Sequence, residues 1–344
     1  MTTFEVLYNT EVIEVTEKIK ISVPQKIYDI LRKDARDFRI LKPSGEENIN
    51  AFINNLVMNY YEDFAADDED MRDSVKAALS SIPEKYVKTA FAEVMKAIGK
   101  RDKDEDMGKS VSLSFKPTKL SEGVTLYIEN VLIKNEALSS FYRRMFISYA
   151  KKLKNEREKI IHKANYDLLS NAVKKGLQVC ISLDNDHIYN DVSVYEISES
   201  KDELFNYALL YSDKKNRTIR LAKIKTVSLL AKSAEIPDES KKMFERQVAS
   251  GAQYPIYSTD DEPIRVQLSA KGRELFERIY LYRPIPTAID GDIYTFECSA
   301  NQVLYYFERF GAEALILSPK RLGIFMRNYY YFALKKYRSI YGTD

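Results

Sequence analysis

Apolar and polar residues alternate strictly over EKIKISV (17–23), where Ile19, Ile21 and Val23 interleave with Lys18, Lys20 and Ser22. That period of two predicts a strand with one apolar face. Pro24 follows, a residue suited to the first turn of a helix because its missing N–H has no bond to lose there. Ile27, Ile30, Leu31 and Ala35 then recur at helical spacing. KPSGEEN (42–48) predicts a break, with Ser44 as the N-cap of the next helix and Glu47 as its capping-box partner. Ile49, Phe52, Ile53, Leu56, Val57 and Tyr60 form the apolar stripe of that helix. The acidic run ADDEDMRD (66–73) reads as a boundary, 71–99 as mostly helical, and GKRDKDEDMGK (99–109) as a charged loop.

SVSLSFKP (110–117) repeats the opening theme, and the helical patterns LSEGVTLYIENVL and NEALSSFYRRMFISYAKKLKNEREKII follow it. Strand, proline, helix, helix thus occurs twice, which predicts an internal repeat. Relative to proline, the apolar Val111, Leu113 and Phe115 fall one position off the first copy. Either the second helix starts one residue later or the strand slips register; Ser112, Ser114 and Lys116 then face outward. A two-stranded ribbon with one apolar face needs cover on that face. The two strands are therefore expected to pair within the chain, with their apolar sides on the helices.

From 156 the pattern changes. A helix through NYDLLSNAVKKG ends at Gly176, a favourable C′ residue. Short strands follow at LQVCISL, IYNDVSVYEI, NYALLYS and RTIRLAKIKTVSLL, separated by the turn signals DND and SDKKNR, which predicts a small barrel. From 236 strands alternate with helices: helix 240–249, PIRVQLS, AKGRELFERIY, DIYTFECS, ANQVLYYFERFG, ALILSP and a long helix 319–341. That order predicts a two-layer α/β sandwich. The expected organisation is therefore α+β, in four segments: 1–66, 67–155, 156–235 and 236–344.

At roughly 100–200 residues per domain, 344 residues are enough for two or three cores. A net charge of +2 means that any basic surface must arise from local segregation of charge. Tryptophan is absent, but 25 tyrosines are available to pack or to stack on bases. Cys180 and Cys298 sit in separate apolar runs and read as buried thiols. There is no signal-peptide pattern and no apolar run near the ~20 residues of a membrane span, so a cytoplasmic protein is expected.

Catalytic chemistry finds no support. His162 and His187 are the only histidines, and no Cys or carboxylate stands at ligand spacing, so neither metal nor cofactor is expected. GKS (108–110) lacks the earlier glycine of a phosphate loop, since Lys103 stands there. Neither G-x-S-x-G nor G-x-G-x-x-G occurs.

EKIKISVP resembles the ribbon-helix-helix family, whose paired strands insert outer side chains into a nucleic-acid groove. The resemblance covers about 50 residues and implies Lys18, Lys20 and Ser22 as contact positions, counted back from Pro24. The turn between that family's helices is matched loosely by Gly45-Glu46-Glu47-Asn48. Lysines there would deliver charge to phosphates and read bases poorly. The alternative is that they only solubilise an exposed strand.

Residues 160–230 resemble the WYL domain, an Sm-like small barrel, through VSVYEI (192–197), NYALLY (206–211) and RTIRLAKIKTV (217–227). The naming tripeptide falls at Asn206, Tyr207 and Ala208, retaining only the tyrosine. The resemblance implies an anion pocket at Arg220 and Lys223; tyrosines beside such cations, Tyr195 and Tyr207, would suit a phosphate with a base to stack. The alternative has Arg220 paired with a carboxylate such as Glu196 or Asp202. Residues 279–337 resemble the ferredoxin-like extension that follows WYL domains and mediates dimerisation, most clearly in YFERFGAEALILSPKRL. Of the tail's aromatics, Tyr305, Tyr306, Phe307, Tyr329, Tyr330 and Tyr331 are expected in core and interface.

The order of these segments resembles the WYL accessory proteins of type VI-D CRISPR systems. It implies a homodimer, not an enzyme, that binds single-stranded RNA and stimulates an RNA-guided ribonuclease effector. Two other readings stay open: a dimeric DNA-binding transcription regulator whose barrel senses a nucleic acid or nucleotide, and a protein–protein scaffold.

Overall fold

The structure, a computed structural model, describes residues 17–104, 109–133, 136–256 and 262–342. The chain divides into two compact units, 1–161 and 162–344.

In the first unit, β1 (Ile19–Pro24) leads directly into α1 (Gln25–Asp37), and α2 (Ile49–Ala78) and α3 (Glu84–Asp104) follow. Then come β2 (Ser110–Phe115), α4 (Lys119–Tyr127) with a π turn over 128–132, α5 (Leu138–Lys151) and α6 (Lys154–Ile161). β1 and β2 pair antiparallel in register, Ile19 with Phe115, Lys20 with Ser114, Ile21 with Leu113 and Ser22 with Ser112. The bond from Gln25 N–H to the Lys109 carbonyl, 2.8 Å, continues the ladder. The expected pairing of the two strands within the chain is thus observed.

The parity mismatch between the copies is resolved at the caps. Pro24 is itself the N-cap of α1, whereas Thr118, one residue past Pro117, caps α4 in a capping box with Ser121. Counted from the caps, both strands bury odd positions: Ile21, Val23, Leu113 and Phe115 are buried. They face a core of Ile27, Leu31, Phe52, Leu56, Tyr142 and Phe146. Phe115 meets Tyr142 edge to face at 5.7 Å.

Two local expectations change here. The N-cap of α2 is Asn48, whose Oδ1 accepts from Ala51 N–H at 3.1 Å, and not Ser44. Residues 41–47 close a tight turn of their own, with Lys42 N–H bonded to the Glu46 carbonyl, and Glu47 pairs with Arg32 instead of capping. The acidic run 66–73 lies inside α2. Cations hold its centre there: Asp68 accepts from Arg72 one turn on and from Arg144 of α5 at 2.6 Å. α3 continues into the expected charged loop as far as Asp104, and 105–108 lie outside the described residues.

In the second unit, α7 (Lys163–Lys175) ends at Gly176 in the left-handed conformation, φ 60°. A five-stranded antiparallel sheet follows: β3 (Leu177–Leu183), β4 (Ile188–Glu199), β5 (Asn206–Ser212), β6 (Lys215–Arg220) and β7 (Ile224–Ser233), in the order β6-β5-β4-β3-β7. RTIRLAKIKTVSLL is not one strand. A 3-10 turn over Leu221–Lys223 breaks it, buries Leu221 and Ala222, and carries β7 to the opposite edge. Irregularities in β3 and β4 bend the sheet round Val179, Ile181, Val192, Leu210 and Leu221.

α8 (Asp238–Ser250) leads to the last layer: β8 (Ile264–Leu268), α9 (Ala270–Arg278), β9 (Ala288–Asp290), β10 (Ile293–Phe296), α10 (Ala300–Phe307), β11 (Ala314–Ser318) and α11 (Lys320–Tyr341). The sheet order is β11-β8-β10-β9, all antiparallel. The short β9 had no pattern to announce it. The aromatics divide: Tyr306 and Phe307 are buried, while Tyr305, Tyr329 and Tyr331 are exposed. Both cysteines are free thiols; burial pushes Cys298 up to about 12, and Cys180 is half-buried.

Candidate nucleic-acid interface

Pairing of β1 with β2 decides what the ribbon presents. Because the odd positions are buried, Lys20 and Ser22 of β1 and Ser110, Ser112 and Ser114 of β2 are exposed on the opposite face. Lys18 and Lys116 are exposed just beyond the strand ends, where the register brings them opposite each other. None of Lys18, Lys20 or Lys116 forms an ion pair with another described residue, and Glu17 is the only carboxylate in either strand segment. The face is a small plate of serine hydroxyls carrying exposed ammonium groups, with donors enough for phosphate oxygens and little to distinguish bases.

The support behind the plate is polar and buried. Asn54 of α2 donates to the Lys116 carbonyl at 3.1 Å and accepts from Thr118 N–H at 3.1 Å and from the Ser121 hydroxyl. It therefore pins the link between β2 and α4. Asp34 of α1 is fully buried; it accepts from Arg157 Nε at 2.6 Å, Arg157 Nη2 at 3.1 Å and the Tyr149 hydroxyl at 3.0 Å. Burial beside that carboxylate pushes the Tyr149 phenol well up. This network ties α1, on which β1 depends, to α5 and α6.

On the small sheet the sequence-predicted residues separate. Tyr207 and Arg220 are register partners on neighbouring strands. Tyr207 donates its hydroxyl to Glu203, and the Arg220 guanidinium lies over the Phe205 ring at 3.2 Å from its centroid. Tyr195 is the extra residue of the β4 bulge, since Val194 pairs with Leu210 and Glu196 with Leu209. The bulge turns it onto α8, where its ring stacks on Phe244 at 5.0 Å. Lys223 is exposed in the 3-10 turn, and its carbonyl accepts from Asp184 N–H. Lys225 pairs with Asp186 at 3.0 Å. Asp202, one carboxylate proposed for Arg220, accepts from Gln253 and from Tyr282 N–H, each at 3.4 Å.

The turn SDKKNR carries more than the end of a strand. Lys214, Lys215, Asn216 and Arg217 line a cleft of about 530 Å³ together with Tyr189, Ser240 and Met243. The signal was legible as three cations in four residues, but a turn motif explained it first.

Neither a protein-family model nor a curated protein matches the sequence. Among solved structures, the chain is similar to the crystal structure of a CRISPR Cas-related protein, with a TM-score of 0.68 at 18% identity over 94% of this chain and 95% of that one. The two share a fold. A looser overlap joins 63% of this chain to 35% of the proteasome accessory factor B/C (PafBC) of Arthrobacter aurescens, at 15% identity and a TM-score of 0.24. No helix among the described residues is long and apolar enough to cross a membrane, and no cluster of His, Cys, Asp or Glu among them could hold a metal ion.

Proposed function

We propose that the protein is a non-catalytic accessory factor of a CRISPR system that binds single-stranded RNA and stimulates an RNA-guided ribonuclease effector, here of type VI-D. The observation that carries the reading is the ribbon: two strands about 90 residues apart meet to expose Lys18, Lys20 and Lys116, which have no carboxylate partner among the described residues. Strand, helix, helix on each side of that ribbon supports a duplicated ribbon-helix-helix unit within one chain. The five-stranded sheet with its 3-10 turn supports an Sm-like WYL barrel. The order β11-β8-β10-β9, with α9 and α10 as crossings, supports a ferredoxin-like extension. Likeness over nearly the whole length of a CRISPR Cas-related protein supports the setting. Exposed Phe325, Phe332, Tyr337 and Tyr341 on α11 support a homodimer formed through the extension. A cytoplasmic location fits an RNA ligand.

Transcription regulation is the second reading, because a two-stranded ribbon also fits the major groove of duplex DNA. Titrating the full chain with labelled single-stranded RNA and with duplex DNA of the same length separates the two. Tighter binding of the RNA, together with faster RNA cleavage when the protein is added to the effector, is the expected result. Tighter binding of the duplex, or no polyanion affinity at low salt, overturns the proposal.

A further inference from the structure

The cleft at the β5–β6 turn has four features that a purely structural hairpin does not need. First, Asp213 and Lys214 both have positive φ, 50° and 58°, forming the two-residue turn that usually takes Asn-Gly. A lysine in the left-handed region is strained where glycine would be relaxed. Second, Lys214 and Lys215 are exposed and form no ion pair with another described residue. The neighbouring cations are occupied: Arg217 is held by Ser212 Oγ at 2.7 Å and Asp213 at 3.0 Å, and Lys241 pairs with Asp238 at the start of α8. Third, Tyr189 lines the same cleft, with the Arg217 guanidinium 4.6 Å from its ring centroid and His187 edge-on at 4.4 Å. Arginine and histidine thus fix the plane of that ring. Fourth, Asn216 donates to the Ser240 carbonyl at 3.4 Å, while its buried Oδ1 has no hydrogen-bond partner among the described residues.

We propose that this cleft is a nucleotide subsite, in which Lys214 and Lys215 take a backbone phosphate of single-stranded RNA and the Tyr189 side of the cleft takes the adjoining base. It rests on the RNA-binding reading above and assigns the barrel's RNA contact to residues other than Arg220 and Lys223. The cations sit at the rim, where a solvated backbone can pass. The wall behind them, Ile219 and Met243 with the aromatic ring, is apolar enough to receive an unstacked base.

The test uses the full chain and a labelled single-stranded RNA oligonucleotide, with affinity measured across a salt series. Lys214→Gly with Lys215→Gln is expected to weaken binding about 5-fold near 0.1 M salt and to flatten the log–log salt slope by about 0.7, the share of one phosphate. Tyr189→Ala is expected to weaken binding about tenfold without changing the slope. Lys214→Gly relieves the turn, so a melting temperature at or above that of the parent shows that lost binding is not lost folding. If the parent binds RNA and these variants bind equally well, the subsite is overturned while the functional reading stands. If the parent binds no RNA at low salt, both fall.

Discussion

Replacing Lys18 and Lys20 together with glutamine removes two ammonium groups of the ribbon that form no ion pair with another described residue, and should leave its packing untouched, because both side chains are exposed. Each lysine–phosphate contact with a single strand contributes roughly 0.7 to the slope of log affinity against log salt. Losing two contacts should therefore flatten the slope by about 1.4. Extrapolated from 1 M salt, where the contribution vanishes, the same term predicts about 25-fold weaker binding at 0.1 M and about 65-fold at 0.05 M. At about 1.4 kcal/mol per tenfold, the 0.1 M loss is about 2 kcal/mol. Fluorescence anisotropy of a labelled single-stranded oligonucleotide, titrated at four salt concentrations with parent and variant side by side, measures both quantities. Coincident salt lines would refute the reasoning: the ribbon would then carry its lysines for solubility alone. A parallel downward shift would mean that they act through something other than phosphate charge.

The buried network behind the ribbon makes a separate prediction. Arg157→Met strands the Asp34 carboxylate in the interior and should lower the stability of the first unit by about 3–5 kcal/mol in urea denaturation, whereas Asp34→Leu added to it should restore much of the loss. In the second unit, a Cβ at Gly272 would collide with the Glu313 carbonyl oxygen, so Gly272→Ala should cost about 1–3 kcal/mol in the same assay. Burial raises the Cys298 thiol to about 12, so its reactive thiolate appears only as pH rises towards that value. At pH 9 a thiolate fraction on the order of 10⁻³ should make Cys298 the slower of the two cysteines to be alkylated in the folded chain, by mass spectrometry.

Reading the chain from its pattern succeeded where a strict period carried the information, and not for the Ser44 cap or the boundary at 66–73. Alternation located β1 and β2, because a strand exposed on one face must put every second residue in the core. Gly176 marked a helix end because a left-handed residue there favours glycine. The choice of Lys18, Lys20 and Ser22 as outward residues followed from the same parity, and their exposure agrees with it. The residues of the five-stranded sheet were less legible. Arg220 and Tyr207 were named without the register that makes them neighbours, and Tyr195 was assigned to their pocket although a bulge turns it towards Phe244. Lys214 and Lys215 were passed over because a cation in a turn has the same local signature whether it lines a cleft or points into solvent.

What the sequence by itself determined, then, is the face each segment buries: period two or period 3.6 assigns side chains to core or solvent through backbone geometry alone. Tertiary structure decided which segments meet. It joined β1 to β2 across 85 intervening residues, ran α2 through an acidic cluster whose Asp68 is held by Arg72 and Arg144, and broke the run RTIRLAKIKTVSLL at Leu221–Lys223 so that β7 could pair with β3. Partner choice depends on loop closure and on core packing between residues distant in sequence, and no window of neighbouring residues contains either.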